Sequence, residues 1–351
     1  MIRVWVHSGW KPWAILAVLV VSGLLLSGLI YTSTTRKGNP APAITVLASL
    51  VEDVAGADGH RYQARDDRGN PMDGLKVIDK PGGGYLGVYH AADRGVFSVK
   101  VATSATALDW THQADLDTHA SQPTIAALSD GGFLVAEEAD SNGLARPPAT
   151  WLRFRYYGGL EKLLSGEAAH TYDAPHTLAP PRSGAEGTPT IYSASLAPDL
   201  SHSKIEVGFH YFKGSAVDRQ AAGVLENFAS WSSWTEPRVD SAIEALGAKG
   251  HIGDRDAMLF DNGRFSLHEG QLVKGLSSSW RIYLFEWSAG RAVPLAVRSH
   301  KGSQAFANPT FTRLRAPSGR RGIVVTMFIP GEEAAPGEAG ELIYFREDPA
   351  A

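Results

Sequence analysis

Five stretches of the 351-residue chain share one shape: a polar residue, in three cases followed by Pro-Thr, then an apolar strand, a turn and a second apolar strand. They open at Asp73 (Asp73-Gly-Leu-Lys-Val-Ile, later Tyr85-Leu-Gly-Val-Tyr), Gln122 (Gln122-Pro-Thr-Ile-Ala-Ala-Leu, later Phe133-Leu-Val-Ala) and Thr188 (Thr188-Pro-Thr-Ile-Tyr, later Ile205-Glu-Val-Gly-Phe). The last two open at Asp254 (Asp254-Arg-Asp-Ala-Met-Leu-Phe, later Phe265-Ser-Leu) and Asn308 (Asn308-Pro-Thr-Phe-Thr-Arg-Leu, later Ile323-Val-Val-Thr). Successive openings lie 49, 66, 66 and 54 residues apart. A unit of this size holds four strands, which is a propeller blade. The repeat predicts an all-β fold, a five-bladed β-propeller over residues 44–351. The competing reading is a β-sandwich with chance Pro-Thr matches; against it, every x-Pro-Thr-apolar segment stands at a blade opening. Aromatics near Trp110 and in Trp280-Arg-Ile-Tyr-Leu-Phe-Glu-Trp287 are expected to wedge between blades. Helical windows are scarce, at 239–246 and 160–164. Residues 44–66, or the last strand 341–345, are expected to close the ring by sharing a blade between the two ends.

The first 43 residues are of another kind. Residues 13–31 carry no charge and only Gly and Ser among apolar side chains. As a helix this run spans about 28 Å, roughly a bilayer core. It is read as an N-terminal transmembrane or signal-anchor helix. Residues 1–12 are then a short cytoplasmic segment and residues 32–43 a linker, with the propeller outside the cytoplasm. Small residues at Ala41-Pro42-Ala43 offer an alternative, a removed signal and a secreted protein.

Composition closes other routes. The chain has no cysteine, which excludes disulfides and thiolate chemistry. Lys and Arg total 33 against 37 Asp and Glu, so no basic field exists to hold nucleic acid. No Walker, HExxH or Gly-x-Ser-x-Gly motif is present. The Asp66-Asp67-Arg-Gly-Asn70 stretch lacks the spacing of a calcium loop and reads as a turn.

In a propeller the polar openings of the inner strands converge at one end of a central funnel. Asp73, Gln122, Thr188, Asp254 and Asn308 should meet there, with Glu186 just before the third. Such a cluster suits a hydroxyl-rich ligand. His210, Arg219, Arg255 and Asp256 are further polar candidates near it; a lone histidine such as His210 is more often a hydrogen-bonded structural residue, and Arg255 reads equally as a partner for the flanking aspartates.

Gly83-Gly84-Tyr85-Leu86 through Val101-Ala102-Thr103-Ser104, Leu108-Asp109-Trp110, Gln122-Pro123-Thr124-Ile125 with Gly131 to Glu137, and Glu186-Gly187-Thr188-Pro189 resemble the arabinanase-like five-bladed glycoside hydrolases, family 43 and relatives. The resemblance covers about residues 70–200. It implies a general base at Asp73, an acid-tuning aspartate at the second opening and a proton-donating glutamate at Glu186. Two positions depart from the pattern: Gln122 stands where the aspartate is expected, and an extra residue separates Glu186 from its proline.

Glycosidic cleavage needs one protonated carboxyl beside the leaving oxygen and one ionised carboxylate. Asp73 and Glu186 are the expected pair, with Asp254 or Asp256 supplying the charge that raises the pKa of the acid. The alternative is that Asp73 caps an Asp-Gly turn and Glu186 is a loop residue. No cofactor is required, and a central structural calcium ion is an option that no ligand spacing supports. The expectation is a glycoside hydrolase-like propeller acting on an arabinoside, xyloside or fructoside. The alternative is a non-catalytic carbohydrate-binding or envelope scaffold, which Gln122 favours.

Overall fold

The computed structural model of the protein describes residues 42–140, 149–180, 184–196, 200–214, 217–316 and 318–347. The expected membrane segment at 13–31, and the segments on either side of it up to residue 41, lie outside this set. Among the described residues no helix is long and apolar enough to cross a membrane.

Five four-stranded antiparallel sheets form the expected blades. A short strand β1 (Gly59–Arg61) precedes them. Blade 1 runs β2 (Asp73–Asp79), β3 (Tyr85–Asp93), β4 (Val96–Ser104) and β5 (Thr111–Thr118) from axis to rim. Blade 2 is β6 (Ala120–Ala127), β7 (Phe133–Asp140), β8 (Thr150–Tyr157) and β9 (His170–Asp173). Blade 3 is β10 (Glu186–Ser195), β11 (Lys204–Lys213), β12 (Val217–Glu226) and β13 (Ser230–Thr235). Blade 4 is β14 (Arg255–Phe260), β15 (Gly263–Gln271), β16 (Trp280–Glu286) and β17 (Arg291–Pro294). Blade 5 is β18 (Ala307–Arg315), β19 (Arg321–Ile329) and β20 (Gly340–Glu347), and β1 is its outermost strand. Each inner strand packs on the inner strands of both neighbours, β2 on β6 and β18, and β14 on β10 and β18. The ring is closed by β1 pairing with β20, Gly59 opposite Phe345 and Arg61 opposite Ile343. Both stretches named for closure take part.

The repeated Pro-Thr motif has a backbone explanation. Gln122, Thr188 and Asn308 each precede a proline and adopt left-handed conformations, with φ of 50°, 48° and 46°. That region is costly for residues with a Cβ. Immediately after each, the pairing with the second strand slips, between Ser121 and Thr124, Gly187 and Thr190, and Ala307 and Thr310. Blade 1 slips at the same place, between Asp73 and Lys76, with Gly74 at φ 62°. These are β-bulges, where a proline without an N–H is tolerated. The bulge puts Gly74, and not Asp73, in register with Gln122, Thr188 and Asn308. Blade 4 has no slip; Arg255 and Asp256 pair regularly with His268 and Leu267.

The core lies between blades. Trp110 is buried between blades 1 and 5 with Leu75, Leu314 and Val324. Gly87 makes room for it, because a Cβ there would come within 2.8 Å of the indole. Trp287 packs with Phe285 and Val239 at the edge of blade 4, its indole nitrogen donating to Ser266 Oγ at 2.9 Å. The expected helices are present, α2 (Leu160–Leu164) and α3 (Pro237–Glu244). Residues 44–66 correct the expectation in part: they begin with a helix, α1 (Ala43–Glu52). Ile44, Leu47, Leu50 and Val51 recur at helical spacing and form one buried stripe. That stripe packs on Ile282, Leu284, Phe306 and Met327 of blades 4 and 5, and the Tyr344 hydroxyl donates to Val51 O. The Asp66 stretch is the expected turn: its carboxyl accepts from the Arg68 and Asn70 N–H groups, both at 2.9 Å, and from the Tyr89 hydroxyl at 2.5 Å.

Leu47→Ala should lower stability by about 2–5 kcal/mol, the range for a fully buried leucine. Denaturant midpoints at unchanged slope measure it. A loss under about 0.5 kcal/mol would mean that α1 is not part of the folded core.

Candidate functional site

Two residues after the opening position, each inner strand carries in turn Lys76, Thr124, Thr190, Asp256 and Thr310, and all but Thr190 line the cavity at the axis. The single cation and single anion of this set form a buried ion pair between Lys76 and Asp256. Lys76 Nζ also donates to Phe311 O at 3.0 Å. Asp256 accepts from the Thr190 hydroxyl and the Phe311 N–H, both at 2.9 Å. The Thr310 hydroxyl donates to Leu75 O at 2.8 Å. Blades 1, 3, 4 and 5 are thus joined through two side chains.

One step nearer the mouth stand Gly74, Gln122, Thr188, Asp254 and Asn308, which line the same cavity. Their backbone N–H groups are held by side chains on the second or third strand of the preceding blade. Gln122 N donates to His90 Nδ1 at 3.3 Å, Thr188 N to Glu138 Oε2 at 3.0 Å and Asn308 N to Glu269 Oε2 at 2.7 Å. The Glu341 carboxyl faces the Gly74 and Leu75 N–H groups, although neither of its buried oxygens completes a hydrogen bond. These contacts offset the left-handed backbone of the openings. In blade 4 the arrangement differs: His210 Nδ1 lies 3.8 Å from Asp254 Oδ1, and Asp254 Oδ2 is buried without a partner. The cavity encloses about 20 Å³, room for one water.

The structure brings Gln122, Thr188, Asp254, Arg255, Asp256 and Asn308 together at the axial cavity, as expected; Asp73, Glu186, His210 and Arg219 are not among its lining residues. Asp73 lies one residue outside the bulge, opposite His90 and within electrostatic reach of Glu341. Glu186 is 1% exposed, and its Oε1 accepts the N–H groups of Thr177, Leu178 and Ala179 at 2.8, 2.6 and 2.8 Å. It pins the loop that leads into blade 3. Arg219 is turned to α3, donating to Glu244 Oε1 at 2.7 Å and Gly250 O at 2.9 Å. His210 is buried, with Nε2 3.8 Å from Asp218 Oδ1.

Burial dominates the electrostatics of the mouth. It pushes Asp73 up to about 6. Burial raises Glu269 to about 7. Asp254 is driven well above the usual carboxyl range by burial, reinforced by Glu269 and Glu138. Glu341 is raised in the same way, by burial and then by Asp73. Desolvation lowers His90 to about 4 and keeps it a neutral acceptor. Asp254 at the cavity, and Glu269 and Glu341 behind it, are thus shifted toward their protonated forms.

Among the described residues no three His, Asp or Glu side chains converge in a metal-binding group. On the axis the Lys76 ammonium is already bound to Asp256. A calcium ion there would meet a fixed cation, one carboxylate already paired with it and a second carboxyl, Asp254, that burial holds toward its protonated form, which does not fit a hard divalent ion.

Lys76, His90, Glu138, Glu269 and Glu341 were not singled out in the sequence. Lys76 and Asp256 carry a legible signal, opposite charges at one repeat position. The others lie near the ends of second or third strands, Glu138 beside Glu137 and Glu269 beside His268, and their partners emerge only once the bulges are placed.

No protein-family model and no curated protein matches the chain. Solved structures do. One is a thermostable family-43 glycoside hydrolase, at 9% identity and a TM-score of 0.52 over 81% of this chain and 92% of that one. Another is a family-43 endo-arabinanase from Bacillus licheniformis, at 10% identity, TM-score 0.51, 81% and 96% coverage. A third is an exo-1,5-α-L-arabinanase from a bovine ruminal metagenomic library, at 10% identity, TM-score 0.51, 81% and 95% coverage. At these identities the likeness is one of fold, and the arabinanase-like five-bladed propeller expected from the sequence is borne out.

Two outcomes follow from the site. Lys76→Met leaves Asp256 as an unpaired buried charge and should cost about 3–5 kcal/mol in denaturant unfolding. Adding Asp256→Asn, which removes that charge and keeps an acceptor, should recover part of the loss; no recovery would show that the pair is not the link. The second concerns pH. Glu269 at about 7 and Glu137 at about 8, both raised by burial, hold protons in the folded state that the unfolded chain has released. Stability must therefore fall as pH rises through their folded values. The unfolding midpoint should decrease from pH 6.5 to 8.5, above the range where neutral His90 weighs against acid; a flat or rising midpoint contradicts the assignment.

Proposed function

We propose that the protein recognises a glycan at the mouth of its propeller and does not cleave it. The arabinoside, xyloside and fructoside class is the ligand class that the fold likeness suggests. One observation carries this reading. Of the residues lining the axial cavity, only Asp254 and Asp256 bear carboxyls, and Asp256 is committed to Lys76, Thr190 and Phe311. Hydrolysis needs two carboxyls free to act. Glu186, the expected proton donor, spends its Oε1 on three backbone N–H groups.

The dimensions agree. A cavity of about 20 Å³ is far below the roughly 300 Å³ at which small-molecule pockets begin, so a sugar has to lie across the mouth. There Gln122, Thr188 and Asn308 offer neutral donors and acceptors. Phe97, 40% exposed, packs edge-on against His90 at 5.2 Å, beside Gln122, and presents an aromatic face on which a sugar ring can stack. Residues 13–31 would tether the propeller to the membrane with this mouth outside the cytoplasm.

A second reading rests on Asp254. It is buried at the cavity with one oxygen unpartnered and its pKa well above normal, which is the state of a general acid. Oligosaccharides of arabinose, xylose and fructose offered to the full chain separate the two readings. Calorimetry should detect binding that Phe97→Ala weakens roughly three- to tenfold, with no new reducing ends. Sugar release that Asp254→Asn abolishes establishes the second reading and ends the first.

A further inference from the structure

The inner strands start at the mouth, so the turns that follow β2, β4 and β18 meet on the opposite face, at the joint of blades 1 and 5. Two clefts open there. One, of about 570 Å³, is walled by Thr103, Thr106, Asp109 and Thr111; the other, of about 500 Å³, by Asp79 and Arg315. Both are also lined by Lys80, Gly83, Gly84 and Ala105, so they are two arms of one groove. At their junction the backbone is bare: Gly83 is left-handed, at φ 108°, and a Cβ on it would meet nothing within 4 Å. Each arm falls in the range of small-molecule sites, roughly 300–1,000 Å³.

The charges of the groove are out of balance. Lys80 Nζ reaches Pro81 O, and Arg315 Nη1 reaches Gly319 O, each at 3.3 Å. Among the described residues neither cation lies within ion-pair distance of a carboxylate. Arg315 stands directly opposite Arg321, which also has no partner among the described residues, and like charges facing each other across two strands repel. The nearby acids do not cancel this surplus. Asp109 is bound to Arg61, and Glu347 to Arg320. Asp79 is in electrostatic reach of Arg315, which leaves one acid against Lys80, Arg315 and Arg321.

An occupant that answers both features is small, carries an oxyanion and is rich in hydroxyls. The guanidinium fork of Arg315 and the Lys80 ammonium take the oxyanion in one arm. In the other arm the threonine hydroxyls and the Asp109 carboxyl are partners for sugar hydroxyls. A nucleotide fits less well, because no exposed aromatic ring lines either arm; Tyr85 is 3% exposed. We propose that this groove binds an acidic sugar, a uronate or a sugar phosphate ester, with its acid group between Lys80 and Arg315. The site is separate from the mouth and independent of the function proposed there.

Calorimetric titration of the full chain in detergent, with galacturonate and with glucose phosphate, tests the proposal. At least one of the two should bind, the one that binds naming the acid, and its affinity should fall as salt is raised. Lys80 is half-buried and Arg315 exposed, so neither Lys80→Met nor Arg315→Met threatens the fold. Each should weaken the acidic sugar about tenfold or more, the loss expected for a charged hydrogen bond. Lys249→Met, which removes an exposed lysine outside the groove, should leave that affinity unchanged. Phe97→Ala, which alters the mouth, should leave it unchanged too, so that failure of this site and failure of the mouth are read separately. Binding of neither acid, equal affinity in Lys80→Met and Arg315→Met, or loss of binding in Phe97→Ala overturns the proposal.

Discussion

The buried contact between Lys76 and Asp256 is the constraint on which the rest of the propeller depends. A ring of sheets has no central layer, so its inner strands must meet across an axis where backbone and side chains are cut off from water. Four of the five equivalent positions carry or contact groups in one network: Thr190 and the Phe311 N–H on Asp256, the Phe311 carbonyl on Lys76, and the Thr310 hydroxyl on Leu75. The ammonium balances the Asp256 carboxylate within the ring.

The repeated x-Pro-Thr segment shows how a motif can carry structure and resemble chemistry at once. Its polar residue is left-handed, its proline occupies a bulge without a donor, and its threonine turns to the axis. The strain at each opening is offset by a side chain from the blade before it, His90, Glu138 or Glu269. The opening residue is thereby placed on the mouth whatever its identity. An acid there would be well positioned; here Gly74, Gln122, Thr188 and Asn308 occupy those places, and none can transfer a proton.

Five blades, the closing strand and six axial residues were legible in the sequence because they follow the repeat, and a repeat reports which residues share a position. Local geometry was not. Aligning on polar identity chose Asp73, whereas the two-for-one count of the bulge puts Gly74 at the opening. Glu186 satisfies the linear pattern, but the extra residue before Pro189 leaves it two residues outside the bulge, where the 177–179 backbone takes its carboxyl. Arg219 reads as a polar group near the funnel and is drawn instead to the end of α3. The α1 stripe carried a helical period but followed an apolar segment of another kind, and so passed as part of a closing strand.

Blade 4 is where these threads meet. It alone lacks the bulge, so Asp254 faces the mouth with its side chain and not with a clamped N–H, and its neighbour Arg255 points into the joint with blade 3. Regular pairing thus creates two unpaired polar groups on adjacent residues, one a proton-holding carboxyl and one a fixed cation. At the openings of blades 2, 3 and 5 the bulged N–H groups are taken by side chains of the preceding blade. The unpaired polar groups of the axial cavity residues are therefore concentrated in blade 4, where the repeat fails.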